Sequence, residues 1–354
     1  MIHNSLCPYI PASGCPLLPN SRLFVLKEQT YHRKSSIIDL AGDRYNENQF
    51  NKYKNSNDNL AITRNGDWAL RKSQRLRKAR KLAFRFVRVS FLLGFCALLY
   101  ACLIEPNWLE INSLHLNLPH LASEFNGYRI VQISDIHTDK WTTSKRLNRI
   151  FRLVNQQKPD LVVITGDLVS RNSQAFIPNL KFALAQFTPS DRTVAIFGNH
   201  DYEADPQAIN QALEQTGITT LHNAIYSLHR GNAMLHIAGV EDICLGKERL
   251  DLILKQLPSD GAAILLAHEP DFADTSAATG RFDLQLSGHS HAGQVRLPFF
   301  KPLILPTLAH KYFSGLYNVK NMLLYTNSGI GMTGLHLRFG SRPEITVLTL
   351  FASG

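Results

Sequence analysis

Val194-Ala195-Ile196-Phe197-Gly198-Asn199-His200-Asp201 is a short apolar run, then a glycine, then an amide, an imidazole and a carboxylate in succession. Four apolar residues closed by a turn signal fit a buried strand. The glycine allows the chain to turn sharply behind it. Working outward, the same arrangement recurs on both sides. Ile130–Ser134 is followed by Asp135 and His137, and Leu161–Thr165 by Gly166 and Asp167. Ile264–Ala267 is followed by His268, and Leu284–Ser287 by Gly288, His289, Ser290 and His291. Helical stretches lie between the strands. One carries Leu147, Ile150, Phe151 and Val154 on a single face. A second carries Phe176, Leu180, Ala183, Leu184 and Phe187, and a third covers Pro206 to Gln215. Further strands are expected at 109–118, Met234–Val240, Leu323–Thr326 and Ile345–Leu350. Alternation of strand and helix predicts an α/β fold.

Ligands of α/β sheets bind beyond the carboxyl ends of the strands. Five strand ends that present carboxylate, imidazole or amide groups therefore predict one shared site. A single Asp-x-His or Gly-Asp is an ordinary turn, but the ordered set is not. Mixed carboxylate, imidazole and amide-oxygen donors suit a first-row divalent ion such as Mn, Fe or Zn. The donors are too many for one tetrahedral ion. Two ions about 3.5–4 Å apart, bridged by one carboxylate, would use them all. Gly166, Gly198 and Gly288 let the backbone come close to such ions.

This order of motifs resembles the calcineurin-like metallophosphoesterase superfamily. Gly288-His289-Ser290-His291-Ala292-Gly293-Gln294 with Leu297-Pro298, then Phe313-Ser314-Gly315-Leu316-Tyr317, is similar to its membrane-anchored YkuE- and YaeI-like branch. Asn327-Ser328-Gly329-Ile330-Gly331 and Arg342-Pro343-Glu344-Ile345 belong to the same likeness. The resemblance covers residues 107–352 and implies two mixed β-sheets flanked by helices. It implies that Asp135, His137, Asp167 and His291 hold one metal ion. Asp167, Asn199, His268 and His289 would hold the second, with Asp167 bridging. His200 would be the acid that is not a ligand and that protonates the leaving oxygen or stabilises the pentavalent transition state. The chain departs from the pattern at Thr138, Asp139 and Ser328, the last standing where the branch commonly has an arginine. Arg171 and Asn172 are candidates to reach the cleft. His222, His229, His236, His310 and His336 fall outside the motifs and read as surface or core histidines.

The remainder of the 354 residues bears on location. A 44% apolar share excludes a wholly disordered chain. The net charge is +10, but nine unopposed cations lie between Arg71 and Arg88. A nucleic-acid enzyme would spread them over a face, so no nucleic acid is expected. Sixteen residues without charge follow, Val89 to Ile104, and Trp108 stands at the far end. Residues 69–106 are therefore expected to form a basic juxtamembrane segment and a transmembrane or interfacial helix, with membrane lipids as partners. Residues 1–68 are polar, dense in Asn, and expected to be a disordered extension. Five scattered cysteines without a Cys-x-x-Cys predict neither a disulfide framework nor a zinc ribbon.

A membrane-associated phosphohydrolase with two metal ions follows as the leading expectation. Its sharper form is cleavage of a lipid-linked pyrophosphate, UDP-2,3-diacylglucosamine in lipid A synthesis. The apolar loop Leu297–Pro306, directly after two of the ligands, favours an amphiphilic substrate. The alternatives are a phosphodiesterase or phosphatase on a soluble phosphoester, and a scaffold without activity. If the helix spans, its basic flank places the following domain outside; a helix lying in the interface removes that restriction.

Overall fold

The structure is a computed structural model that describes residues 58–189 and 191–353. It divides into two units, residues 1–79 and 80–354. Helix α1 (Asp58–Leu99) begins earlier than the expected residue 69. The rest of the expected extension, residues 1–57, lies outside the described residues. A π turn (Tyr100–Ile104) and a 3₁₀ turn (Glu105–Asn107), with Pro106 in its first turn, end the helix. One helical stretch, Leu70–Asn107, is long and apolar enough to cross a membrane, and almost none of it is buried. Phe84, Phe86, Phe91, Leu92 and Leu93 are all exposed, so this is not a core helix.

Among the described residues the domain beyond it has twelve strands. Those of the first sheet are β1 (Glu110–Leu118), β2 (Tyr128–Ile133), β3 (Leu161–Thr165), β4 (Arg192–Ile196), β5 (Thr219–Thr220) and β12 (Glu344–Ala352). Those of the second are β6 (Ala224–Arg230), β7 (Ala233–Gly239), β8 (Ala262–Leu266), β9 (Leu284–Ser287), β10 (Gly315–Val319) and β11 (Met322–Thr326). The orders are β1-β12-β2-β3-β4-β5 and β10-β11-β9-β8-β7-β6. Both sheets are mixed. β2, β3 and β4 run parallel, as do β7, β8, β9 and β11, while β12 is antiparallel to β2 and β6 and β10 are antiparallel edges.

Strand periodicity builds the layers. Ile130, Leu161, Val163, Val194 and Ile196 pack against Leu235, Ile237, Ile264, Leu266, Leu284 and Leu286, so the sheets lie face to face. The alternate residues Val131, Ile133, Val162 and Ile164 turn outward onto α2 (Ser144–Gln156), α3 (Ile177–Leu184) and α5 (Pro206–Gln215). Ala263, Leu265 and Leu324 turn outward from the second sheet onto α6 (Leu250–Gln256) and α7 (Ala273–Ala278). Strands covered on both faces read as continuous apolar runs. That is the physical reason they were visible in the sequence. Local signals agree with the packing. Thr143 caps α2, and Asp205 caps α5 ahead of Pro206.

One polar contact ties the sheets together near the site. Buried Gln132 donates to Thr165 Oγ1 (3.1 Å) and to the Ser287 carbonyl (2.9 Å). The ends of β2, β3 and β9 are thereby held at a common height.

Candidate metal centre

The side chains of Asp135, His137, Asp167, His268, His289 and His291, all named from the sequence, meet at the carboxyl ends of β2, β3, β8 and β9. Ligand atoms of Asp135, His137 and His291 lie within 4.8 Å of one another, and so do those of Asp167, His268 and His289. Asp167 Oδ2 is 3.4 Å from His137 Nε2 and 3.3 Å from His268 Nε2, and so stands between the two sets. His291 Nε2 is 3.3 Å from Asp135 Oδ1 and 3.1 Å from His137 Nε2. Asn199 follows β4 and starts the short helix α4 (Asn199–Ala204); its Oδ1 is buried without a hydrogen-bond partner.

The backbone is bent to bring these groups together. Asp135, His137, Asp167, His289 and His291 all have φ between 46° and 67°. Residues other than glycine seldom occupy that region, and it is found where the surroundings over-determine the chain. The restraints are hydrogen bonds between loops. Asp135 N donates to Gly166 O, His137 N to Asp167 O, and Gly288 N to His268 O. His289 N donates to the Asp135 carboxylate. Asp201 holds the third loop. It is buried, and it accepts from Leu168 N and Val169 N with one oxygen and from Gly198 N with the other. Two glycines are required by close approach. A Cβ at Gly198 would collide with Asp167 Oδ1, and one at Gly288 with Ser134 Oγ and Asp135 Oδ2.

The electrostatics suit cations. Burial holds His137 down to about 3 and His289 to about 4, and burial, with the Arg338 guanidinium adding to it, holds His291 well below the usual range. For all three, burial is the largest cause, so their imidazoles are neutral with a lone pair to offer. His268 goes the other way. Burial opposes its charge, but Asp167 and Asp135 outweigh burial and hold it well above 6.5. Burial would likewise raise Asp167, yet His268 and His200 keep it well below the usual carboxylate range. A cation beside Asp167, whether proton or metal, is what the cluster demands. Thr165 O contacts His268 Nδ1 (2.7 Å) and Thr307 O contacts His289 Nε2 (2.9 Å). This fixes which nitrogen of each ring faces the cluster.

His200 faces the same volume. Its ring lies 5.0 Å from that of His137, edge to face, and its ring nitrogen forms a third close set with His137 and Asp167. Its Nδ1 is 3.4 Å from Glu203 Oε2. A cavity of about 310 Å³ opens beside it, lined by Asp139, Lys140, Arg171, Thr333 and His336. Arg171 thus reaches the cleft, where it pairs with Glu203 at 3.0 Å. His336 also belongs here rather than with the plain surface histidines. Its Nε2 is 3.2 Å from Asp139 Oδ2 and its ring stacks on Trp141. The sequence reading placed it among the surface or core histidines because it falls outside the motifs.

Other contributors carry no motif. Arg338 is fully buried and donates to the carbonyls of Ser328, Gly329, Gly331 and Ser341. Its own N–H donates to Ala101 O in the last turn of the apolar helix. Buried Glu105 accepts from Ser341 N (2.6 Å), and Ser341 Oγ donates to the carbonyl of His291 (2.8 Å). Residues 100–106, expected to belong with the anchor, therefore pack on the domain.

Comparison with known proteins agrees with this geometry. Residues 128–293 match the family model for calcineurin-like phosphoesterases. The uncharacterized metallophosphoesterase YkuE of Bacillus subtilis is 36% identical over 259 residues, which is 71% of this chain and 88% of that one. The phosphodiesterase YaeI of Escherichia coli is 30% identical over 256 residues, covering 70% and 90%. A zebrafish transmembrane protein with a metallophosphoesterase domain is 34% identical over 259 residues, covering 68% and 57%. With its two sheets, its helices and its cluster of side chains able to hold metal ions, the chain belongs to the calcineurin-like metallophosphoesterase family, in the branch of YkuE and YaeI, and is a metal-dependent phosphoester hydrolase.

Proposed function

We propose that the enzyme hydrolyses a phosphodiester or pyrophosphate bond in an amphiphilic, lipid-linked substrate at a membrane surface. One observation carries this reading. The loop after His289 and His291 exposes Phe299, Phe300, Leu303 and Ile304, each at least 68% accessible, on a domain that already has an exposed apolar helix. A folded domain gains nothing by holding four adjacent apolar side chains in water, so they fit an apolar phase outside the protein. UDP-2,3-diacylglucosamine is the most specific candidate within this class.

In this reading Asp135, His137, Asp167 and His291 hold one divalent ion, and Asp167, Asn199, His268 and His289 hold the other. Buried, unpartnered Asn199 Oδ1 and His268 Nε2 fit such a role for their residues. Mn, Fe and Zn all suit these donors. When bound, the ions supply Lewis-acid stabilisation of the phosphoryl oxygens and a water of depressed pKa. The protein's own part is positional. The Glu203 carboxylate, 3.4 Å from His200 Nδ1, favours a protonated His200 that can give its proton to the leaving oxygen. Lys140 and Arg171 line the cleft and would neutralise phosphate charge as the substrate enters.

The test is a paired assay of the full chain on acylated UDP-sugar in vesicles and on a soluble nucleotide diester. The reading expects a higher rate on the vesicle substrate, lost on chelation of the metal. Preference for the soluble diester would replace it with a soluble-substrate phosphodiesterase whose helix serves only for location.

A further inference from the structure

We propose that a second cavity, of about 520 Å³ beside the last turn of the apolar helix, binds a phospholipid headgroup that carries both a phosphate and a primary ammonium. Tyr100, Glu105, Arg296, Pro298, Arg342 and Glu344 are among its walls. None of the candidate metal ligands lines it, and neither does any residue of the cleft around His200. The lipid held here is therefore a resident one and not the reacting substrate.

Three features select that ligand. The first is place. The cavity begins where the helix ends, at Tyr100 and Glu105, and Arg296 and Pro298 lead directly into the exposed loop Phe299–Ile304. With helix and loop in a bilayer, the cavity stands at the level of the headgroups. Trp108, half exposed at the same end, suits that level.

The second is cationic. The Arg296 guanidinium has no hydrogen-bond or ion-pair partner among the described residues. The Arg342 guanidinium carbon lies over Trp108, 3.8 Å from the ring centroid, and its N–H groups have no hydrogen-bond or ion-pair partner among the described residues. Two unengaged guanidinium groups on one cavity fit a phosphate, whose oxygens accept from such forks.

The third is anionic, and it separates one headgroup from another. Glu344 is already engaged by Tyr325, Thr346 and Ser328, and one oxygen of Glu105 by Ser341 N. Glu110, on the same cavity, is exposed and has no side-chain partner among the described residues. It suits an ammonium with N–H groups to donate. Tyr100 and Phe339, packed edge to face, offer apolar surface to the first carbons of the acyl chains.

The proposal rests on the reading that the helix enters a bilayer, and flotation of the full chain with lipid vesicles tests that separately. A chain that fails to float overturns both. The site itself is tested by native mass spectrometry of the full, delipidated chain in detergent. The probes are dioleoyl phosphatidylethanolamine, dioleoyl phosphatidylglycerol and dioleoylglycerol. Wild type should retain one phosphatidylethanolamine and no diacylglycerol. R296A/R342A should weaken retention about tenfold or more, the scale of losing paired charge-assisted hydrogen bonds. E110Q, a surface change that leaves the fold alone, should remove the preference over phosphatidylglycerol. Equal retention by wild type and R296A/R342A, with melting curves unchanged, overturns the site. So does retention of diacylglycerol as strong as that of the phospholipid. Displacement of the lipid by millimolar inorganic phosphate would show an anion site and overturn the headgroup assignment.

Discussion

Val162 and Leu93 belong to equally apolar stretches, yet Val162 is completely buried and Leu93 is 65% exposed. The strands of the domain have spent their apolar surface on one another. The helix and the loop Phe299–Ile304 have not. The contrast teaches that apolar character alone says a segment leaves water, not where it goes. The polar loops between these extremes follow a third rule. They are buried, bent into left-handed conformations and locked by hydrogen bonds from loop to loop.

Each contrast can be broken in turn. The largest effect should come from the locked loops. Asp167→Ala removes the carboxylate between the two ligand sets and should strip both metals, with turnover falling further than for loss of a general acid. Metal analysis of the purified variant checks this; full metal content would exclude Asp167 as the bridge. His200→Ala should lower turnover by about 10²–10⁴-fold while the metals stay, since a proton donor contributes about that much. Loss of metal in that variant would make His200 a ligand, as its closeness to His137 and Asp167 permits.

The exposed apolar surface should matter less, and only for one class of substrate. F299S/F300S removes part of the loop, where each buried apolar side chain is worth about 1.5–3 kcal/mol. The rate on vesicle substrate should fall at least about tenfold, because even ~1.4 kcal/mol of lost insertion, less than one fully buried side chain, corresponds to that factor. The rate on a soluble diester should hold. Equal falls on both substrates would mean that the loop packs on the protein during turnover.

The smallest effect concerns a buried group away from the cleft. Burial, with the facing Glu269 carboxylate adding to it, pushes Asp242 up to about 8. A carboxyl raised in this way contributes stability that is complete below its unfolded value of about 4 and is lost as pH rises through about 8. Asp242→Asn should flatten that decline. Thermal melts of both proteins across this interval check it, and parallel slopes would show that Asp242 is ionised in the fold.

The central strands and their terminal residues were readable because doubly covered strands are mostly apolar, with only scattered polar positions such as Gln132 and Gln285. β9 and β3 match their expected bounds. The edges were less visible. β5 has two residues, and β6 and β10 are only partly buried, so their apolar pattern is diluted. Asp135 and His291 were found because they sit next to strands. Arg338, Ser341 and Glu105 act through backbone groups far away in the chain, and no spacing announces them. The left-handed turns at Asp135 and His137 were equally silent: Asp and His enter that region more readily than most residues, but no glycine marks the turn there.

The order β1-β12-β2 has a consequence for the making of the protein. β12 follows every other strand in the chain, yet it lies between the first two, in parallel register with β1 from Glu110 to Leu118. Until it emerges from the ribosome, β1 hangs from the end of the apolar helix with no neighbour, and β2 has one open side. Contacts so distant in sequence form slowly, and open strand edges invite pairing with other chains. Release of the last strand is therefore the step that closes the first sheet, and a chain cut short before Glu344 would leave β1 unpaired beside its apolar helix.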